Sequence, residues 1–193
     1  METEKGGLML RVTWEWIGLD EALDVANTVA VANGVEHDLL VPDGEYERWA
    51  AAAAASPALD ADEGAALVPA RERVLGLREP LRRVIAATAA GDPPPRPAVA
   101  ELNRASRASP GWPELDAEGN IVERAQGSAT DRLLAVYARS ALSIAAAGPR
   151  RLRRCPAPSC GMFYRPTRPQ QHWCSRQCGT RARVARHYRR IGE

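Results

Sequence analysis

All four cysteines of this 193-residue chain, Cys155, Cys160, Cys174 and Cys178, lie close together near its C-terminal end, and the preceding residues contain none. Their spacing is Cys-x4-Cys, thirteen residues, then Cys-x3-Cys. Two local pairs of thiolates can close a tetrahedron around one Zn2+, and a four-thiolate site leaves no open coordination position, so the metal it predicts is structural. Disulfides would need an oxidising compartment, and a redox pair is more typically Cys-x2-Cys beside a βαβ pattern; nothing in the sequence points to either. His172 and His187 are candidate substitute ligands, with phosphate contact or packing on the module as their other roles. The segment is so small that it has little core of its own. Metal binding is therefore expected to decide whether it folds, and chelation to unfold the tail alone.

Charge divides at the same place as cysteine. Residues 150–193 hold 12 of the 26 basic side chains and one acid, Glu193, a balance of +11, whereas residues 1–149 carry 14 basic and 23 acidic side chains, a balance of −9. A basic tail on an acidic body points to a polyanionic partner. Apolar residues (45%) and charged residues (26%) are in ordinary globular proportion, which excludes disordered and collagen-like classes. No run approaches the roughly 20 apolar residues of a membrane helix. Met1-Glu2-Thr3-Glu4 lacks the basic-then-apolar order of a signal peptide, so the expected location is the cytoplasm.

Hydrophobic periodicity predicts a mostly helical body. Val12, Trp14 and Trp16 alternate with polar residues as in a short strand, and Leu19, Leu23, Ala26 and Ala30 predict a helix over 20–33 that Gly34 ends. A second helix follows a Pro42-Asp43 cap through Tyr46, Trp49 and the alanines 50–55. A third aligns Val74, Leu77, Leu81, Ile85 and Thr88, with Pro80 expected to kink it; a fourth opens at Pro97 and contains Val99, Leu102 and Ala105. Glu118-Gly119-Asn120 predicts a hairpin tip. A fifth helix aligns Leu133, Tyr137, Ala141 and Ile144, capped by Thr130 or Asp131 and stopped by Gly148-Pro149, where the domain boundary is placed. The fold class is α+β: a mostly helical N-terminal domain with a small β-sheet (1–149), then a small four-cysteine zinc finger with a basic helix (150–193).

Several features of the tail resemble a CGNR zinc finger: Cys-x4-Cys, Phe163-Tyr164, Arg165 and Arg168, Trp173-Cys174-Ser175, and Cys178-Gly179-Thr180-Arg181 before an arginine-rich helix. The body resembles the ABATE domain that accompanies this finger in bacteria, through Leu23-Asp24-Val25-Ala26-Asn27-Thr28-Val29 and Leu77-Arg78-Glu79. Proteins of this kind are described as stress-induced transcriptional regulators. The resemblance implies zinc on Cys155, Cys160, Cys174 and Cys178, and a finger that binds DNA. Thr180 departs from the motif's asparagine, although a hydroxyl can still cap a helix or bond a phosphate.

The helix after Cys178 is expected to pack through Val184, Tyr188 and Ile191 and to present arginine on another stripe. Arginine's planar fork suits phosphate and guanine edges, which makes Arg165, Arg168, Arg176, Arg181, Arg183, Arg186, Arg189 and Arg190 the candidate DNA contacts. The alternatives are a solvated face, docking on an acidic body, and RNA stacking on Tyr164, Trp173 or Tyr188. In the body, Asp24, Asn27 and Thr28 are candidate ligand contacts for a small-molecule effector, against the plainer reading that they bond neighbouring backbone. Trp14, Trp16 and Trp49 read as core or as one wall of an aromatic site. No catalytic motif appears and His37 stands alone in the body, so an enzyme is not expected. A homodimer is compatible with paired half-sites. The competing function is a ligand-binding or assembly protein whose finger is a structural or protein-docking module.

Overall fold

The computed structural model describes residues 20–32 and 34–191. The strand expected around Val12, with Trp14 and Trp16, lies outside the described residues. Three long helices form the body: α4 (Arg71–Ala90), α5 (Arg96–Ala108) and α6 (Ala129–Ala147) pack against one another in pairs. Shorter helices cover them. Helix α1 (Glu21–Ala26) lies on α4 and α6, α2 (Glu45–Ala53) on α3 (Ala61–Ala66), and α3 on α6. Val74, Leu81 and Ile85 of α4, Leu102 of α5, and Leu133, Tyr137 and Ile144 of α6 are buried on the faces that their spacing predicts. Trp49 is fully buried beside Tyr46, whose hydroxyl donates to the Leu67 carbonyl. Helix α4 runs unbroken through the buried Pro80.

Two antiparallel hairpins leave this bundle: β1 (Val29–Ala32) with β2 (Val35–Asp38), and β3 (Gly111–Leu115) with β4 (Ile121–Ala125). The second is the hairpin expected at Gly119. The first overturns the expected helix over 20–33. Helix α1 ends at Ala26, the Thr28 hydroxyl folds back onto the Val25 carbonyl, and the β-branched Val29 and Val31 then adopt a strand. Gly34, at φ +79°, turns the hairpin instead of closing a helix.

The caps also differ in detail. Gly44 rather than Asp43 precedes α2, and Ser128 rather than Thr130 or Asp131 caps α6, accepting from the Asp131 amide at 3.1 Å. Helix α3 was not expected, yet Asp60 and Glu63 form a reciprocal capping box at its start.

After a 3₁₀ turn at Pro149–Arg151, strands β5 (Arg153–Arg154) and β6 (Phe163–Tyr164) pair, and α7 (Arg176–Ile191) closes the chain. Leu152 and Phe163 belong to the main apolar core and not to the small one around the cysteines. Asn27 is 4% exposed; its side-chain amide donates to the Phe163 carbonyl at 3.0 Å and its carbonyl accepts from the Phe163 amide at 2.8 Å. A body side chain thus pairs with a finger strand as a neighbouring strand would.

Helix α4 braces the β1–β2 hairpin from below, Arg78 bridging the Asp38 carboxylate and the Thr28 hydroxyl while Arg82 pairs with Glu36. Burial opposes the charge of Asp38, but hydrogen bonds from Arg78 and the Leu40 amide outweigh it and hold the carboxyl below its ordinary range. A carboxyl depressed in the folded state stabilises the fold above its unfolded pKa and loses that contribution as pH falls through the folded value. Asp38→Asn is therefore expected to lower stability at pH 7 and to make little difference near pH 2, as read by urea unfolding at the two pH values. At the seam, Asn27→Ala strands two buried backbone groups of Phe163, and a loss of about 3 kcal/mol is expected in the same assay.

Candidate metal centre and basic helix

The β5–β6 hairpin and the first turn of α7 bring the cysteines together. Their four Sγ atoms lie within 4.8 Å of one another, and three of the separations are 3.5 to 3.6 Å. A tetrahedron of sulfurs at a Zn–S distance of about 2.3 Å has edges of about 3.8 Å, and a disulfide would need about 2.05 Å, so the spacing fits a shared metal and not a bridge. Cys155, Cys160 and Cys178 are buried and Cys174 is half-buried. Crowding makes several thiolates costly without a cation: hydrogen bonds from the other sulfurs draw the Cys155 thiol down, while Cys155 pushes Cys160 and Cys174 up. A divalent cation resolves that conflict by neutralising several thiolates at once. These four residues are the ligand set of one structural Zn2+. Neither His172 nor His187 joins the cluster; His172 lies edge-on to Trp173.

Groups around the sulfurs complete the module. Arg181 donates to Cys178 Sγ at 3.0 Å and to the Ser159 carbonyl at 3.4 Å. Burial works against its charge, but the sulfurs more than compensate and raise its pKa further. Arg153 holds the carbonyls of Pro169 and Gln171, and the Tyr164 hydroxyl also donates to Gln171. Tyr164 is buried and Trp173 packs on the same small core, so their rings serve the finger's interior. Gly161, at φ +71°, lets the knuckle approach β1: an added Cβ would stand 2.7 Å from Val31 Cγ2, and the Val31 amide donates to the Cys160 carbonyl at 3.2 Å. Sequence reasoning missed the roles of Arg153 and Gln171, which no local pattern marks.

Helix α7 packs through Cys178, Gly179 and Ala182. This corrects the expectation for Val184, Tyr188 and Ile191, which are 48%, 70% and 66% exposed. The metal sets the reason: with Cys178 as a ligand in the first turn, its face must turn inward, and the apolar stripe is rotated outward. Arg176, Arg183, Arg186 and Arg190 are exposed and, among the described residues, form no ion pair. They line two shallow depressions on the helix, one with Gln177, Thr180 and Arg181, the other with His187. The Thr180 hydroxyl accepts from Arg183 at 3.0 Å, so the residue that replaces the motif asparagine orients an arginine.

The remaining candidates are dispersed. Arg168 is exposed on the finger loop, and Arg165 pairs with Asp20 at 3.3 Å. Asp20 is 7% exposed; burial pushes its carboxyl up, against the Ser140 hydroxyl and Arg165, which draw it down. Arg189 lies on α7. In the body, Asp24, Asn27 and Thr28 are all buried on or just after α1. Asn27 contacts Phe163, and Thr28 contacts Val25 and Arg78.

Among the described residues no helix is long and apolar enough to cross a membrane. Residues 20–148, more than half of the chain, match the ABATE family, described as "Putative stress-induced transcription regulator", and residues 151–191 match the CGNR zinc finger. No curated protein matches the chain. Outer-sphere partners of a metal site typically change affinity by about 10- to 100-fold when removed. Arg181→Ala is accordingly expected to weaken zinc by at least about tenfold in a chelator competition, with the zinc stoichiometry still one.

Proposed function

The chain belongs to the ABATE family and carries a CGNR finger, and from that premise we propose that it is a DNA-binding transcriptional regulator. One observation carries the reading: an open basic row along α7. Arg176, Thr180, Arg183, His187 and Arg190 recur at three- and four-residue steps and so share one face, about 21 Å long at 1.5 Å per residue. No acidic residue lies between Arg150 and Ile191 to neutralise it. Such a row suits the phosphate backbone, with guanidinium forks also able to meet guanine edges. Arg168 extends the charge onto the finger loop.

The division of labour follows. Zinc sets the pitch and rotation of α7, and the body, through Asn27 and Asp20, holds the finger at a fixed angle. A four-thiolate zinc site has no vacant position for a substrate, which supports a non-catalytic role. The work would be done in the cytoplasm, where the four thiols stay reduced and available to zinc. A small-molecule effector has less support, because Asn27 and Thr28 bond to the protein itself.

Fluorescence anisotropy of a labelled duplex, titrated with the zinc-loaded full chain at several salt concentrations, tests the reading. Affinity should fall steeply with salt, and the variant with Arg176, Arg183 and Arg190 all replaced by alanine should flatten the log–log slope by about 3. An unchanged slope would remove α7 from the interface.

A further inference from the structure

Two of the exposed apolar surfaces remain outside that reading. One is the α7 stripe of Val184, Tyr188 and Ile191, flanked by arginines in a helix with six basic residues and no acid. The other is the β3–β4 arm. All of β3 is exposed, only Val122 of β4 is half-buried, and the cross-strand neighbours Leu115 and Ile121 are 68% and 73% exposed. Residues 111–125 carry four acids against one arginine.

The arm is preformed. The Asp116 carboxylate accepts the amides of Glu118 and Asn120 at the tip. At the base the Ser109 hydroxyl donates to the Gln126 carbonyl and Arg139 holds the Ser109 carbonyl. Such an element pays little ordering entropy on binding. Exposed apolar side chains on a rigid acidic projection, and an exposed apolar stripe on a basic helix, are complementary in both respects.

Leu115, Ile121, Val184, Tyr188 and Ile191 all remain exposed in the single chain, so the arm does not cover the stripe there. We propose that the acidic β3–β4 arm of one copy docks on the Val184–Tyr188–Ile191 stripe of a second copy, and that the contact is reciprocal, giving a two-fold dimer. Each protomer supplies one arm and one stripe, so two identical contacts close the assembly. The stripe lies roughly a quarter-turn around the helix from the Arg176–Arg183–Arg190 row, so the apolar contact is centred off that row while its flanking arginines face the arm's acids. The oligomeric state is read without DNA, so failure of the dimer and failure of the DNA reading are distinguishable.

Sedimentation velocity of the zinc-loaded full chain tests it. The native protein should be dimeric at tens of micromolar in low salt, and raising salt from about 0.05 to 0.5 M should weaken the dimer at least roughly tenfold, since the flanking charges are exposed. Leu115→Ser with Ile121→Ser in the arm, and Val184→Ser with Tyr188→Ser in the stripe, should each give monomers with an unchanged thermal transition. An equimolar mixture of the two variants should regain dimers at raised concentration, because each retains the surface the other lacks. Should either pair disturb folding, Glu118→Arg with Glu123→Arg must abolish the dimer instead. A monomeric native protein, an arm variant that remains dimeric, or a mixture that stays monomeric would each overturn the proposal.

Discussion

The finger is held to the body by a buried amide. Asn27 satisfies both the N–H and the carbonyl of Phe163, while the Phe163 ring and Leu152 enter the body's main core. A buried backbone pair without that partner would be expensive, so the position of β6 is set from outside its own hairpin. Gly161 then brings the zinc knuckle against β1, and Arg165 reaches back to Asp20. Four sulfurs around one metal fix α7, and the seam fixes the sulfurs relative to α1 and α4.

This geometry explains the charge arrangement. The acidic body uses arginines of its own, with Arg73 on Asp131, Arg78 on Asp38, Arg82 on Glu36 and Arg132 beside Glu63. The more exposed of them, such as Arg73–Asp131, contribute little individually, whereas Arg78–Asp38 is half-buried and hydrogen-bonded. Their consequence is that these four acids face the body's own helices, whereas Arg176, Arg183, Arg186 and Arg190 of α7 are exposed. Among the described residues the finger is docked by apolar packing, a neutral amide and the Arg165–Asp20 ion pair, none of which uses the basic row.

The sequence revealed most where one pattern had a single structural meaning. Cysteine spacing led directly to the ligand set, and the long apolar periods of α4, α5 and α6 led to their buried faces. It misled where a pattern had two. The Val-Ala run after Asn27 suits a helix or a strand, and only its contacts with the finger and with Arg78 select the hairpin. Val184, Tyr188 and Ile191 have core spacing, but the metal requirement of Cys178 overrides it and turns smaller residues inward. Asn27 was visible as part of a family pattern and as a buried polar candidate, yet its partner lies 136 residues away, beyond any local signal.

Hydrogen exchange of the full chain, with zinc bound and after chelation, is the most direct test of a finger and body built around shared residues. The account predicts that zinc removal, instead of affecting the tail alone as the sequence suggests, speeds exchange in α7 and β6 and also in α1 and the β1–β2 hairpin, because Phe163 and Cys160 release Asn27 and Val31. Changes confined to residues 151–191, with α1 and β1–β2 protected as before, would contradict it.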